Sequence, residues 1–320
     1  MKKVALLFFS ITLSQASFSQ TSIRTIHSAI GKITHCEFSP DGTMAVACSQ
    51  ATEFYGQKIA SLTVFNTVEE KLIKEFPVAA IFATFSPDNS KLVYWDYSNG
   101  LVIRNLATDE TKSIIENKKE NIVYAAKYSR DGKLIALGCF DSSIKIIDAS
   151  TFNIIRTLQS NDKKGMCFKL DFMSNGTLVS MGNGIAKVWD VQTGKELRKQ
   201  GRSTSSVQLG FATEANKVLL SYLDSTFVME TNTGKITAKN NFANFANAAF
   251  SPKGNLYLLC DSQGIYAFNG DGTFGEQNGA AFPETYWMDI DRKESKVIVA
   301  TEVNVLMVDF SYFKEIANRK

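Results

Sequence analysis

A five-residue phrase, Phe38-Ser39-Pro40-Asp41-Gly42, recurs in decaying form along the chain and constrains its fold more than any other feature. Copies follow at Phe85-Ser86-Pro87-Asp88-Asn89, Tyr128-Ser129-Arg130-Asp131-Gly132, Phe172-Met173-Ser174-Asn175-Gly176, Phe211-Ala212-Thr213-Glu214-Ala215 and Phe250-Ser251-Pro252-Lys253-Gly254, with an eroded last one at Ile290-Asp291-Arg292-Lys293-Glu294. From one leading residue to the next the steps are 47, 43, 44, 39, 39 and 40. A unit of that size cannot bury its own faces, so consecutive units must stack.

The third repeat shows the internal grammar. Ile122 to Tyr128 reads as a strand, Ser129-Arg130-Asp131-Gly132 as a turn and Lys133 to Gly138 as the next strand. Asp-Gly between apolar runs is a hairpin signal, because glycine accepts the positive φ that such turns demand. A third strand at Ser143 to Ile147, a turn over Asp148 to Thr151 and a fourth strand from Asn153 to Leu158 complete a four-stranded antiparallel sheet. Seven such sheets predict an all-β, seven-bladed propeller, in one domain over residues 20–320. The leading residues Phe38, Phe85, Tyr128, Phe172, Phe211, Phe250 and Ile290 are expected to wedge between neighbouring blades. Small residues two positions earlier (Cys36, Ala83, Ala126, Ala248) suit the crowded innermost strands.

The fourth repeat carries Ala186-Lys187-Val188-Trp189-Asp190-Val191-Gln192-Thr193-Gly194, and here the chain resembles the WD-repeat family, in a bacterial exported form. Third strands end in a matching polar residue at Asn66, Asn105, Asp148, Glu230, Asn269 and Asp309, 18 to 20 residues after the leading residue in repeats two to seven and 28 in the first. An insertion of about eight residues, around Ala51 to Lys58, accounts for the difference. The family's Gly-His pair is missing from all repeats, with His27 two positions off, and one Trp-Asp remains at the end of a third strand, so packing must hold the blades together. Either end can close the ring: Thr21 to His27 as an outer strand, the favoured reading, or Tyr312 to Ala317, which aligns with Thr151 to Arg156, the loser being a frayed tail.

The first nineteen residues place Lys2 and Lys3 before the apolar run Val4 to Leu13 and a small, polar stretch, the layout of a secretory signal peptide with cleavage between Ser19 and Gln20. A periplasmic or extracellular protein with no membrane insertion after cleavage is the expectation. The formal net charge of +3 falls to +1 without Lys2 and Lys3, which argues against a nucleic-acid partner. The five cysteines are scattered without zinc-site spacing and are read as buried free thiols, with Cys36 set opposite Val46 rather than Cys48.

Catalytic chemistry finds little support. Only His27 and His35 exist, and no Gly-x-Ser-x-Gly elbow, Walker loop or dinucleotide motif occurs. Asn269 to Thr273 alternates oxygen-bearing side chains but coincides with a strand turn. No catalytic residue, cofactor or metal site is therefore expected. Acids recur in the turn between second and third strands, at Asp96, Asp141, Asp224 and Asp261, with Glu302 in the seventh blade. Those turns share one face with the blade-to-blade connections, where an acidic rim could hold a cation; aspartate as a plain turn residue is the preferred reading.

Aromatics crowd the same turns: Phe54 and Tyr55 in the insertion, Trp95 and Tyr97 in blade two, Phe140 in blade three and Tyr222 in blade five. With Asp96, Asp141 and Asp224 they make the candidate partner-binding set, bordered by Lys118, Lys119, Lys163 and Lys164. The opposite face, built of short Ser-Pro-Asp-Gly hairpins, promises little. The family resemblance implies a non-catalytic scaffold that docks other proteins. The alternative is a propeller enzyme or a small-ligand or metal binder using the mouth of the channel.

Overall fold

A computed structural model describes residues 23–29, 31–50, 52–54, 57–118, 121–159, 166–202, 207–241, 245–275, 279–282 and 284–319. It is a ring of seven four-stranded antiparallel sheets. Blade two is typical, with strands Ala80–Phe85, Lys91–Asp96, Gly100–Asn105 and Thr111–Ile115 running from the axis outward. Second strands are covered on both faces and read as apolar runs, as in Leu134–Cys139 and Lys296–Thr301. Outer strands such as Glu196–Gly201 alternate half-buried and exposed residues.

The recurring phrase is a hydrogen-bonded turn. Ser39 Oγ accepts from the Met44 amide at 2.9 Å and donates to Asp41 Oδ1 at 2.7 Å, while Asp41 takes the Thr43 amide and Gly42 sits at φ 75°. Ser86 with Asp88 and Ser129 with Asp131 repeat the set, Asn89 supplying the positive φ in blade two. In the eroded seventh copy Asp291 stands in the serine's place and accepts the Ser295 and Lys296 amides at 2.7 Å each. The polar residue ending each third strand does similar work: Asn66, Asn105, Asp148 and Asp190 each accept two amides of the following turn. The Ser39 turn holds one residue more than the sequence suggested, so Cys36 lies opposite Ala47 and His35 opposite Cys48, not Cys36 opposite Val46. All five cysteines are free and buried.

Each seam between blades has its own apolar cluster, with the leading residue of the later blade in it or packed against it. Phe38 meets Ile298, Ala300 and Val305 of blade seven, and Phe85 meets Val46, Leu62 and Val64 of blade one. A fully buried side chain of that size contributes about 1.5–3 kcal/mol. These wedges hold blade to blade where the Gly-His pair is missing. Within blade four Trp189 Nε1 donates to Ser180 Oγ at 2.9 Å.

The N-terminal strand closes the ring. Ile23–Ser28 pairs antiparallel with Asn304–Asp309 as the outer strand of blade seven. Arg24 then ties this seam to blade one through Glu70 at 2.6 Å and Asp309 at 3.3 Å. The C-terminal segment is neither a strand nor a frayed tail: it is a helix, Phe310–Ala317, whose Phe310, Phe313, Ile316 and Ala317 are buried against blades six and seven. No helix among the described residues is long and apolar enough to cross a membrane. The blade-one insertion forms a small hairpin, Thr52–Phe54 with Gln57–Ile59.

Candidate functional site

Turns between second and third strands do share a face with the blade-to-blade connections. The Tyr97 amide donates to Ala79 O at 3.3 Å, the Phe140 amide to Ile122 O at 2.9 Å and the Gln50 amide to Lys32 O at 2.7 Å. On this face Tyr97 is 60% exposed and Phe140 43%, on adjacent blades, and Leu223 of blade five is 54% exposed. Val303 of blade seven and Met166, leading into blade four, are also exposed. These last three were absent from the sequence reading, which weighed aromatics and acids and passed over aliphatic turn residues.

Other members of the expected set lie elsewhere. Trp95 is 1% exposed and packs with Phe82, Leu101, Val123 and Cys139 in the seam between blades two and three. Tyr222 is 4% exposed; its hydroxyl donates to Gly184 O at 2.7 Å and its ring stacks on Phe227. Tyr222 is the last residue of a second strand and Trp95 the last but one, both still inside the sheet, whereas the exposed Tyr97, Phe140 and Leu223 lie in the turns beyond. Neither Trp95 nor Tyr222 is a surface anchor. The side chain of Phe54 and all of Tyr55 fall outside the described residues, as do Lys119, Lys163 and Lys164.

The acids of the rim serve their own turns. Asp96 is buried and accepts the Ser98 amide at 2.8 Å, Asp141 the Ser143 amide at 2.9 Å, and Asp261 the amides of Gln263 and Gly264. Asp224 pairs with Arg202, whose guanidinium holds that carboxyl below its usual range. Among the described residues no three metal-ligating side chains come together.

Charge gathers instead inside the channel. Because strand residues alternate in direction, the residue before each wedge points to the axis. Those positions are Glu37, Thr84, Lys127, Asp171, Gly210, Ala249 and Asp289. Lys127 pairs with Glu37 Oε2, Thr84 Oγ1 donates to Glu37 Oε1 at 2.7 Å, and the Phe38 amide donates to Asp289 Oδ2 at 2.8 Å. One layer further in, His35 Nε2 donates to Ala83 O at 2.9 Å, and its ring lies 4.7 Å from that of Trp287. Lys169 Nζ donates to Leu209 O at 3.1 Å and lies 4.9 Å from the centre of the Trp287 ring.

Burial dominates the electrostatics. It pushes His35 down to about 4 and Lys169 down to about 8. It also lifts Asp289, helped by Glu37, to about 7, and raises Asp171 against the pull of Lys127. Glu37, Asp171 and Asp289 hold the Lys127 ammonium above its ordinary range despite its own burial. Two cavities meet at this ring. One of about 270 Å³ extends toward the connection face past Tyr124, Phe168 and Trp287; one of about 120 Å³ opens toward the hairpin face past Pro40, Pro87, Arg130 and Arg292. The hairpin face is thus richer than expected.

Comparison with known proteins gives partial matches. A family model described as the anaphase-promoting complex subunit 4 WD40 domain matches residues 83–175, from the innermost strand of blade two to the first turn of blade four. The U3 small nucleolar RNA-associated protein 21 homolog of Schizosaccharomyces pombe is 25% identical over 147 residues, 46% of this chain and 15% of that protein. The U3 small nucleolar RNA-associated protein 15 homolog of Xenopus laevis is 29% identical over 102 residues, 31% of this chain and 19% of that protein. The chain spans less than a fifth of either relative.

Proposed function

We propose, from the premise that this chain is a WD-repeat β-propeller, that it is a non-catalytic scaffold that docks a protein partner on the connection face. The observation that carries this is the exposure of Tyr97 and Phe140 on adjacent blades of one face, with Leu223, Val303 and Met166 around the same ring. Exposed aromatics at loop tips, bordered by charges such as Lys118 and the Arg202–Asp224 pair, have the composition of a protein-binding surface. A protein partner is favoured over RNA, although both relatives are named for association with a small nucleolar RNA, because a net charge of +3 offers little to a phosphate backbone.

The test is alanine substitution of Tyr97 and Phe140 against a control pair, Lys133 and Lys253, in the hairpins of the opposite face. With a partner retained from an envelope extract, loss of a true anchor should weaken binding by at least about 2 kcal/mol while the control pair leaves it unchanged. If the controls weaken binding and Tyr97 and Phe140 do not, the face is wrongly chosen.

Export is the second part of the proposal, and the leader layout of residues 1–19 supports it. Mass spectrometry of the protein from its native cell should find a mature chain beginning at or near Gln20, outside the cytoplasm. An intact Met1-containing chain in the cytoplasmic fraction would remove this part.

A further inference from the structure

The larger cavity holds two opposite charges that the protein itself only partly answers. Lys169 is deep in the channel, and among the described residues its ammonium makes one hydrogen bond, to Leu209 O. An ammonium carries three donors. Asp171, two residues along the same strand and so on the same side, accepts among the described residues only the amide of Phe172, at 2.8 Å. Its nearest cation, Lys127, is paired with Glu37 and also faces Asp289, so Asp171 has only a share of that ammonium, while Glu37 is further engaged by Thr84 and Asp289 by the Phe38 amide. Both Lys169 and Asp171 line the cavity of about 270 Å³, together with the half-buried Tyr124, Phe168 and Trp287.

From this arrangement we infer that the channel binds a small zwitterion of free amino-acid size, its carboxylate on Lys169, its ammonium on Asp171 and an apolar side chain against Tyr124, Phe168 and Trp287. Alternate residues of a strand are about 6.6 Å apart, a span that an amino acid's two charged groups bridge with a hydrogen bond at each end. A lone anion would answer Lys169 and leave Asp171 only its share of Lys127; a lone cation would answer Asp171 and leave Lys169 with the Leu209 carbonyl and the Trp287 ring. Only a ligand with both charges satisfies the two together. A mostly apolar pocket with a few convergent polar groups is the usual form of a small-molecule site, and this cavity lies near the small end of that range. The site lies inside the channel, beneath the exposed face assigned to a protein partner, and its test does not depend on that partner.

The experiment is isothermal titration of the whole protein with leucine and with phenylalanine as zwitterionic probes. Leucinamide, which lacks the anionic group, and N-acetyl-leucine, which lacks the cationic one, are the comparison probes. Saturable binding of a zwitterion at one site is expected, with each singly charged analogue at least about tenfold weaker. Lys169→Met and Asp171→Asn should each weaken the zwitterion by at least about tenfold. The analogue series on the unaltered protein keeps the test decisive if a variant fails to fold. Absence of binding by both zwitterions up to about 10 mM, or equal binding of leucine and leucinamide, would overturn the inference.

Discussion

Asp289 accepts the Phe38 amide across the seam between blades seven and one, and its surroundings lift its carboxyl from an ordinary 3.8 to about 7. The folded chain therefore holds this proton more tightly than the unfolded chain. Its stabilising contribution is whole below about pH 4, falls as pH rises and is gone above about pH 7, a change on the order of 4 kcal/mol. Asp88 and Asp131, held low by the Ser86 and Ser129 hydroxyls, act in the opposite sense, so the difference between variant and parent is what matters. Asp289→Asn keeps an acceptor for the amide and should remove this component of the slope in urea midpoints between about pH 4.5 and 7.5. Identical slopes would mean that the group does not titrate in that window. Trp95 carries the residue-scale lesson for reading a sequence. A large aromatic near a strand end is a core wedge if it lies inside the sheet, as Trp95 does one residue before the end, and a surface contact if it lies just beyond, as Tyr97 does. Sequence-based boundaries are uncertain by as much as the two positions that separate them.

At the scale of elements, the helix Phe310–Ala317 takes over where blade six is thin. That blade's outer strand is only Gly279–Ala280, and the helix packs its buried face beside the third strand, with Gly275 donating to Ala317 O at 2.6 Å. Phe313 is fully buried and stacks on Phe282 at 5.8 Å between ring centres. Phe313→Ala should destabilise the protein by about 3–5 kcal/mol, measured by denaturant unfolding. A cost below about 1 kcal/mol would make the helix an appendage. The spacing of Phe310, Phe313, Ile316 and Ala317 is a helical stripe and was legible. Alignment with the outer strand of another repeat hid it, because repetition biases a reading toward one more copy of the same element.

For the whole molecule, closure depends on Ile23–Ser28. Deleting that strand would leave the edge of Asn304–Asp309 unpaired, with several backbone hydrogen bonds of about 0.5–1.5 kcal/mol each lost. The melting temperature should fall and light scattering should report association through the open edge. An unchanged melting curve in a monomeric protein would show that the ring is held without it.

Blade number, strand order within a blade and the positions of the Asp-Gly turns were all readable from the chain. Each is settled by hydrogen bonds between residues a few positions apart and by a period-two alternation that depends on neither terminus. The axial position of Glu37, Lys127, Asp171 and Asp289 was also implicit, one residue before each wedge. Their mutual contact was not, because Glu37 and Lys127 are 90 residues apart and Phe38 and Asp289 251, and such contacts form only when the ring closes. Tertiary structure decided which aromatics face solvent, which terminus supplies the last strand and that the charges meet inside the channel. Those outcomes depend on how seven sheets fill the space between one another, and that packing is a property of the closed ring.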